Sequence, residues 1–268
     1  MCKNKMLTLV CGAPRSGSTL LYNSICSSKI FNEALTENHF IPNIIKLLKK
    51  QLFRNQKEKF MHFQDNEDAI NFYASIINEY LNKLFNRYQV KNLCLKSIMF
   101  SSETNYILNL LPSAHLIFIV RDPKDIISSM LNVSKKQINL GIKPNYPRDM
   151  NALCAFINSH YEFVLSNESS QKHSNIIFIK YEDLILNTLA VLNSVFKNLS
   201  LDYTFKDIEN LWDRAPKFLE PSQNPFHSDL WNKKPSSIKI GSYKNVLSSE
   251  ETSLINNYCK KIITKFNY

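Results

Sequence analysis

Glycine is the residue that this sequence lacks most: only 4 of its 268 residues are glycine, where an average usage of about 7% would place about 19. A collagen-like chain is therefore excluded. Each remaining glycine is informative, because glycine adopts backbone conformations that strain other residues. The four are Gly12, Gly17, Gly141 and Gly241, and the first two stand five residues apart near the N-terminus.

Long hydrophobic runs and closely spaced cysteines are also missing. No apolar stretch approaches the length of about 18 residues that a membrane span needs, and the N-terminal run is too short for a signal peptide. The six cysteines contain no C-x-x-C pair and the six histidines no H-x-x-x-H set, so neither a disulfide framework nor a zinc site is indicated. We expect a cytoplasmic protein without a membrane span and without a metal.

Acidic residues are outnumbered, since 33 Lys and Arg face 23 Asp and Glu and leave a formal net charge of +10. This surplus suggests an anionic ligand, partner or surface, although solubility alone would also explain it. Basic residues concentrate in two stretches, residues 46–59 and 233–244. The first stretch is most simply a solvated face.

Short apolar runs alternate with longer amphipathic ones, a pattern typical of β-α units around a parallel sheet. With 44% apolar residues, the chain can bury a substantial core, and we expect one α/β domain over residues 1–268 with a central parallel sheet flanked by helices. Residues 214–244 are rich in proline and are predicted to form an ordered loop or lid. Strands are predicted at Met6–Cys11, Asn92–Lys96, His115–Val120 and Asn175–Lys180. Helices are predicted at Gly17–Ser28, Pro42–Lys50, Glu67–Arg87, Glu103–Leu111, Lys124–Ser134, Arg148–Ser166, Leu186–Asn198 and Ser249–Lys265.

A first motif, GAPRSGST at residues 12–19, follows a predicted buried strand and opens a predicted helix. Its spacing, G-x-x-x-x-G-x-[ST], is that of a phosphate-cradling loop, in which backbone N–H groups and the helix N-terminus bind anionic oxygens. A nucleotide kinase carries lysine before the final Ser or Thr, but Ser18 stands at that position here. Arg15 supplies a positive charge inside the loop, which suits a smaller anion that is gripped directly.

A second motif, RDPKDIISS at residues 121–129, follows the third predicted strand. Taken alone, Arg121 could form a surface ion pair with Asp122 or Asp125. Together the two motifs resemble those of the PAPS-dependent sulfotransferases, where PAPS is 3′-phosphoadenosine-5′-phosphosulfate. The resemblance implies a P-loop-NTPase-like sulfotransferase fold and the transfer of a sulfuryl group from PAPS, the co-substrate, to an acceptor hydroxyl.

The same resemblance implies where the nucleotide would lie. The first loop is expected to hold the 5′-phosphosulfate, and Arg121 and Ser129 the 3′-phosphate. In two weaker matches, KYEDL at residues 180–184 places a tyrosine near the adenine, and IGSYKNVLS at residues 240–248 resembles a segment that closes over the 3′-phosphate. Many relatives have a basic R-K-G run before that segment, but here Lys239 is the nearest cation. The expected nucleotide-binding residues are Arg15, Ser16, Gly17, Ser18, Thr19, Arg121, Ser129, Tyr181, Lys239 and Gly241.

Sulfuryl transfer needs charge stabilisation and a base for the acceptor hydroxyl. By resemblance, Arg15 and the strand-end Lys96 are expected to stabilise the developing charge. Cytosolic relatives have a histidine two residues after that lysine, but Ile98 stands there in this chain. The segment TENHFIP at residues 36–42 resembles the catalytic segment of protein-tyrosine sulfotransferases, which makes Glu37 the expected base and leaves His39 as the alternative.

Two other functions stay open at this stage. A P-loop nucleotide or small-molecule kinase would use Asp122 as a metal ligand, but Ser18 argues against it. A nucleic-acid-binding protein would exploit the positive charge, but the sequence contains no recognisable binding motif. The expected partner is therefore a hydroxyl acceptor, which could be a small molecule, a sugar or a peptide tyrosine, and not a nucleic acid. The sequence specifies neither the acceptor nor the oligomeric state.

Overall fold

The computed structural model describes residues 5–53, 62–166, 174–204, 224–226 and 236–268. Within these ranges, four strands form one parallel sheet: β1 (Met6–Cys11), β2 (Asn92–Lys96), β3 (His115–Val120) and β4 (Ile176–Lys180). All four predicted strands are therefore present, and only the fourth differs, since it starts one residue later. The outer part of the basic stretch, residues 54–59, and most of the Pro-rich stretch, residues 214–223 and 227–235, lie outside the described residues.

The strand order in the sheet is β2-β1-β3-β4. Leu9 of β1 pairs with Leu95 of β2 on one side and with Leu116 of β3 on the other. Because all strands run in the same direction, their carboxyl ends share one edge of the sheet. Strand β2 lies on one side of β1 and β3 lies on the other, so the strand order reverses at β1. Such a reversal is where α/β sheets open a binding crevice.

Helices cover both faces of this sheet, which confirms the predicted α/β class. The described helices are α1 (Ser18–Cys26), α2 (Phe40–Leu52), α3 (Asn66–Tyr88), α4 (Thr104–Leu110), α5 (Pro123–Asn139), α6 (Met150–Leu165), α7 (Tyr181–Leu186), α8 (Thr188–Asn198), α9 (Ser249–Tyr258) and α10 (Lys260–Phe266). Short 3-10 turns lie at Ile98–Phe100, Ser237–Lys239 and Ser242–Asn245.

The two faces of the sheet bury separate cores, because side chains alternate along each strand. In β3, Phe118 and Val120 pack into the larger core with α2, α3, α5, α6 and α9, whereas Ile117 and Ile119 pack into the smaller core with α1 and α8. Both sets are fully buried. This two-sided burial explains why the strands are dense in Ile, Leu, Val and Phe and could be predicted.

Three features differ from the sequence prediction. Helix α7 begins directly after β4, where the sequence analysis predicted no helix. The predicted final helix is interrupted at Cys259, although the hydrogen bonds from Cys259 N to Ile255 O (2.9 Å) and from Ile263 N to Cys259 O (3.0 Å) make this a kink and not a turn. The described end of the Pro-rich stretch contains two 3-10 turns in place of a plain loop.

Among the described residues, none of the helices combines the length and apolar character needed to cross a membrane.

Candidate functional site

The loop between β1 and α1 has a shape that two glycines make possible. Gly12 has φ of 150°, and a Cβ atom there would lie 2.8 Å from the carbonyl oxygen of Ile119. Gly17 has φ of 99°, and a Cβ atom there would lie 2.4 Å from the ring of Tyr181. Real Cβ atoms do not approach so closely, so the packing around the loop admits only glycine at both positions.

A buried tyrosine from α6 fixes this loop to the sheet. The Tyr161 hydroxyl accepts a hydrogen bond from Ala13 N (3.3 Å) and donates one to Ile119 O (2.9 Å). Burial raises the pKa of Tyr161 well above its ordinary value, so the phenol keeps its proton and its donor role. The β1 loop and the end of β3 are thereby held together through a third element.

The N-terminus of α1 opens onto this loop without a side-chain cap. No side chain of the described residues accepts a hydrogen bond at this end, and Gly17 occupies the N-cap position in a left-handed conformation. The first turn of a helix has N–H groups without intrahelical partners and a partial positive charge, which together favour an anion. Ser16 and Ser18 are buried beside these N–H groups, and Thr19 is half-buried.

Arg15 bends out of the loop with an unusual backbone conformation. Its φ of 70° lies in the left-handed region, which costs a non-glycine residue about 1–2 kcal/mol. Its side chain donates from Nε to Ser129 Oγ (3.1 Å) and from Nη1 to Phe226 O (3.3 Å). Burial is the main cause that lowers the pKa of Arg15, and the nearby Arg121 lowers it further. Two guanidinium groups therefore lie close together in a partly buried place, an arrangement that an anion would stabilise.

Arg121 lies deeper than Arg15, with 5% of its surface exposed. It donates from Nη1 to Arg15 O (3.2 Å) and from Nη2 to Lys239 O (2.7 Å), and its guanidinium lies 4.3 Å from the ring centroid of Tyr181. Its Nε is buried and has no hydrogen-bond partner among the described residues. A charged donor left unpaired in this way costs free energy unless a ligand completes it.

The C-terminal part of the chain reaches the same place through its backbone. Lys239 offers its carbonyl oxygen to Arg121, while its own side chain is exposed. Gly241, with φ of 71°, donates its N–H to Asp125 Oδ2 (2.8 Å). Tyr181 lies under the Arg121 guanidinium and 5% of its surface is exposed. Its ring therefore packs against Arg121, and the contact with adenine that the resemblance implies stays a prediction.

A second polar group lies beside β2. Glu37 Oε2 is 2.9 Å from Lys96 Nζ, and Glu37 Oε1 accepts a hydrogen bond from Ile98 N (2.8 Å). Burial alone would raise the pKa of Glu37, but the Lys96 ammonium and the Ile98 N–H outweigh it and bring that pKa below its usual value. Glu37 is therefore a carboxylate at neutral pH. His39, the alternative base, is exposed at the start of α2.

Behind Glu37, His160 and Ser101 form a buried pair. Their Nδ1 and Oγ atoms are 2.7 Å apart, and the Ser101 hydroxyl has two carbonyl acceptors for its one proton, Ile98 O at 3.0 Å and Gly12 O at 3.4 Å. Burial lowers the pKa of His160 to about 4, against a smaller opposing effect of the Ile98 carbonyl. The imidazole is consequently neutral at physiological pH and holds the turn that carries Ile98.

Tyr146 connects these groups to a cavity. Burial raises its pKa, the Arg15 guanidinium lowers it and the Glu37 carboxylate raises it again, so the phenol lies within electrostatic reach of both. Its backbone is fixed by Ser134, whose Oγ donates to Tyr146 O (2.7 Å) and accepts from Tyr146 N (3.0 Å). Tyr146 also lines a cavity of about 290 Å³ together with Leu153 and Phe156.

The structure thus brings together most of the residues singled out in the sequence. Arg15 contacts Ser129 and Arg121, and Glu37 contacts Lys96. Asp122 caps α5 by accepting from Lys124 N (2.9 Å) and lies 3.3 Å from Lys124 Nζ, so this carboxylate is already engaged. Among the described residues, no group of three or more His, Cys, Asp or Glu side chains is arranged to hold a metal ion. Sequence reasoning missed two contributors, His160 and Tyr161, and considered Asp125 only as an ion-pair partner of Arg121, which lies 3.8 Å from it in a buried place.

Comparisons with known proteins point to one family. A model described as "Sulfotransferase family" matches residues 8–205, whereas a sequence comparison with the curated proteins finds no match. The fold is similar to that of the sulfotransferase domain from the curacin biosynthetic pathway (17% identity, 98% of each chain covered, TM-score 0.67). It is also similar to the sulfotransferase domain from the Synechococcus PCC 7002 olefin synthase (15% identity, 97% of each chain, TM-score 0.60). Mouse sulfotransferase SULT7A1, solved in complex with PAP, matches at 16% identity over 97% of this chain and 85% of that chain, with a TM-score of 0.53.

Proposed function

The chain belongs to the sulfotransferase family, and from this premise we propose that it transfers a sulfuryl group from PAPS to an acceptor hydroxyl. The observation that carries the proposal is the pair of neighbouring arginines at the uncapped N-terminus of α1. Arg121 Nη1 donates to Arg15 O (3.2 Å), and the buried Nε of Arg121 has no partner among the described residues. A phosphate group of the nucleotide, with its two negative charges, would provide a partner for both guanidinium groups.

The 5′-phosphosulfate is assigned to the loop after β1. Backbone N–H groups of residues 17–19 and the positive end of α1 supply the anion-binding donors, whereas Ser16 N donates to Ala13 O (3.1 Å) and leaves the Ser16 hydroxyl as its contact. Ser16, Gly17, Ser18 and Thr19 are the assigned contacts, and Arg15 adds the charge that stabilises the bridging oxygen as its bond to sulfur breaks.

The 3′-phosphate is assigned to Arg121 and Ser129, with the backbone around Lys239 and Gly241 closing over it. The mouse protein solved with PAP has the same fold, which supports a nucleotide of this kind. Ser129 already accepts a hydrogen bond from Arg15 Nε, so the two phosphate groups would be bound by connected side chains. Tyr181 is assigned to the adenine end of the nucleotide, and its ring also packs against Arg121 and limits position 17 to glycine.

The chemistry follows from these positions. The acceptor oxygen attacks sulfur as the bond between sulfur and the phosphate oxygen breaks, PAP leaves with that electron pair, and the acceptor proton passes to the base. Glu37 is the proposed base, because its carboxylate is ionised and half-buried next to Lys96. Lys96 keeps Glu37 ionised and adds positive charge near the transferred group. In-line transfer of this kind depends mainly on positioning and charge stabilisation.

The acceptor is assigned to the space that Tyr146 borders. The tyrosine lies within reach of Arg15 and Glu37 and also lines the cavity of about 290 Å³. Phe156 and Leu153 make part of the wall apolar, so the body of an alcohol or phenol fits there better than a highly charged group.

The proposal is tested by thermal-shift titration with PAP, with ATP and Mg²⁺, and with an oligonucleotide, followed by transfer assays with labelled PAPS. Ligand binding to the folded state raises the melting temperature, and we expect PAP to give the largest rise. Arg121→Ala should lose most of this rise. Arg87→Ala is the matched control, because Arg87 is an exposed arginine at the end of α3, on the amino-terminal side of β2. Stabilisation by ATP and Mg²⁺ without any by PAP would favour a kinase and refute the proposal.

A further inference from the structure

Asp125 is a buried carboxylate that the reaction described above does not use. It lies in the first turn of α5, and only 1% of its surface is exposed. Its Oδ2 accepts a hydrogen bond from Gly241 N (2.8 Å), and its Oδ1 accepts from Tyr243 N (3.0 Å) and from Ser242 Oγ (3.4 Å). All three donors belong to residues 241–243, which we call the closing turn.

The same carboxylate lies next to the arginine assigned to the 3′-phosphate. Asp125 Oδ2 is 3.8 Å from Arg121 Nη2, one helical turn away, and that Nη2 donates to Lys239 O (2.7 Å) just before the closing turn. Arg121 therefore holds the chain at residue 239, and Asp125 holds it at residues 241 and 243. The two side chains together fix a short piece of backbone that is more than 110 residues away in sequence.

A buried carboxylate beside a phosphate site needs a physical reason. Burying a charge costs several kcal/mol unless donors compensate it, and a negative charge close to Arg121 would by itself weaken the binding of an anion. Here two backbone N–H groups and a hydroxyl satisfy the carboxylate. Electrostatics alone therefore predicts that removing the charge tightens phosphate binding, whereas a role in holding the closing turn predicts the opposite.

We propose that Asp125 is a positioning residue that holds the closing turn over Arg121 and so forms the site for the nucleotide 3′-phosphate. The inference rests on the proposed function, since it assumes a nucleotide that carries this phosphate. An asparagine at position 125 has one acceptor oxygen in place of two, so it cannot accept from Gly241 N and Tyr243 N in the same way, and its amide would face one of the two N–H donors.

The test compares PAP with adenosine 5′-monophosphate, which lacks the 3′-phosphate, by calorimetric titration of the full chain. Asp125→Asn should weaken PAP binding by about tenfold or more and change binding of the monophosphate by less than about twofold. Asp149→Asn is the control, because the Asp149 carboxylate also accepts a hydrogen bond from a backbone N–H, that of Ala152 (3.1 Å), at the start of α6. It should leave the ratio of the two affinities unchanged.

Hydrogen exchange provides a second readout that does not depend on nucleotide. The amides of Gly241 and Tyr243 should exchange faster in Asp125→Asn than in the unmodified protein, while those of α5 keep their protection. Ser242→Ala removes the longest hydrogen bond to Asp125 and the local one from Ser242 Oγ to Lys239 O (3.1 Å) but keeps both backbone bonds to Asp125, so it should fold normally and weaken PAP by about two- to threefold with no effect on the monophosphate. This variant keeps the proposal testable if Asp125→Asn does not fold.

The outcomes separate the inference from the function on which it rests. If the unmodified protein does not bind PAP, the proposed function is refuted. If it binds PAP and Asp125→Asn binds PAP equally well or more tightly, the function stands and the positioning role of Asp125 is wrong. Equal weakening of PAP and of the monophosphate would also overturn it, because that result indicates a general loss of structure.

Discussion

The loop after β1 and the closing turn, two regions of the candidate site, are built in different ways. The loop of residues 12–19 takes its shape from tight packing, because Ile119 of β3 and Tyr181 of α7 leave no room for a Cβ atom at Gly12 or Gly17. The closing turn is attached by hydrogen bonds to Asp125, and a Cβ atom at Gly241 would meet nothing within 4 Å. Steric exclusion fixes the region proposed to bind the 5′-phosphosulfate, whereas a few polar contacts over long sequence distance fix the region proposed to bind the 3′-phosphate.

This difference predicts that substitutions in the loop after β1 and in the residues beside it will be costly and general, and that those in the closing turn will be mild and specific to the 3′-phosphate. Each of the following changes tests that contrast.

The largest effect is expected from Glu37→Gln. The amide keeps the size of the side chain but cannot take the acceptor proton, and loss of a general base typically costs a factor of about 10²–10⁴ in rate. We expect kcat to fall by at least about a hundredfold while PAP binding changes little, measured by labelled-PAPS turnover and PAP titration. His39→Ala is the control, and near-full turnover in Glu37→Gln with loss in His39→Ala would move the base to His39.

The next effect is expected from Gly17→Ala. The added Cβ atom would lie 2.4 Å from the Tyr181 ring, and the alanine would have to adopt a φ of 99°. Overpacking and backbone strain each cost about 1–3 kcal/mol, so the free energy of unfolding should fall by about 3 kcal/mol or more. Chemical denaturation measures this change, and a loss below about 1 kcal/mol would show that the loop is less tightly packed than the contacts indicate.

Acid should destabilise the surroundings of the loop after β1 through His160, which contacts Ser101 beside Gly12. Burial lowers the pKa of this residue to about 4, below the value of about 6.5 for an unfolded chain, so between these pH values the unfolded state binds a proton that the folded state does not. The free energy of unfolding should therefore fall as the pH drops from about 6.5 to 4, by up to about 3 kcal/mol. Urea denaturation at pH 7 and pH 5 checks this.

His160→Asn should make that pH dependence shallower, because the amide does not titrate. His62→Gln, at an exposed position, serves as the control and should keep the slope of the unmodified protein. An unchanged slope in His160→Asn would mean that another group carries the acid sensitivity.

The smallest effect is expected from Gly241→Ala. The position has φ of 71° and open space around it, so an added Cβ atom causes no clash. The left-handed conformation alone should lower the free energy of unfolding, by about 1–2 kcal/mol. Gly141→Ala, with the same φ and the same open surroundings, is the matched control for stability. We expect similar melting temperatures for both variants and a weaker PAP affinity only in Gly241→Ala. A loss of unfolding free energy in Gly241→Ala as large as that in Gly17→Ala would remove the contrast between the closing turn and the loop after β1.

The sequence predicted the elements well and the contacts between them poorly. Strands β1 and β3 could be predicted because strands buried on both faces are continuous apolar runs, and the β1 loop because its motif is local. Tyr161, in contrast, bonds to Ala13 across 148 positions, and Asp125 bonds to Gly241 across 116. No spacing rule connects such residues.

The pairing of Glu37 with Lys96 shows the same limit within the predicted set. Resemblance singled out each residue separately, but their contact at 2.9 Å depends on how the segment after α1 crosses the end of β2. The hydrogen bond from Asn38 N to Lys96 O (2.8 Å) fixes that crossing, and no pattern in the sequence predicts it. Side chains that act by supporting others, such as His160, likewise have no motif of their own.

The Tyr161 contacts have a consequence for how this loop could be redesigned. The hydroxyl bonds to two main-chain atoms, the N–H of residue 13 and the carbonyl of residue 119, so these two contacts do not depend on which side chain position 15 carries. Position 15 can therefore be exchanged without loss of the anchor, provided that Gly12 and Gly17 stay. A library restricted to that position would sample new anion preferences on an unchanged backbone frame.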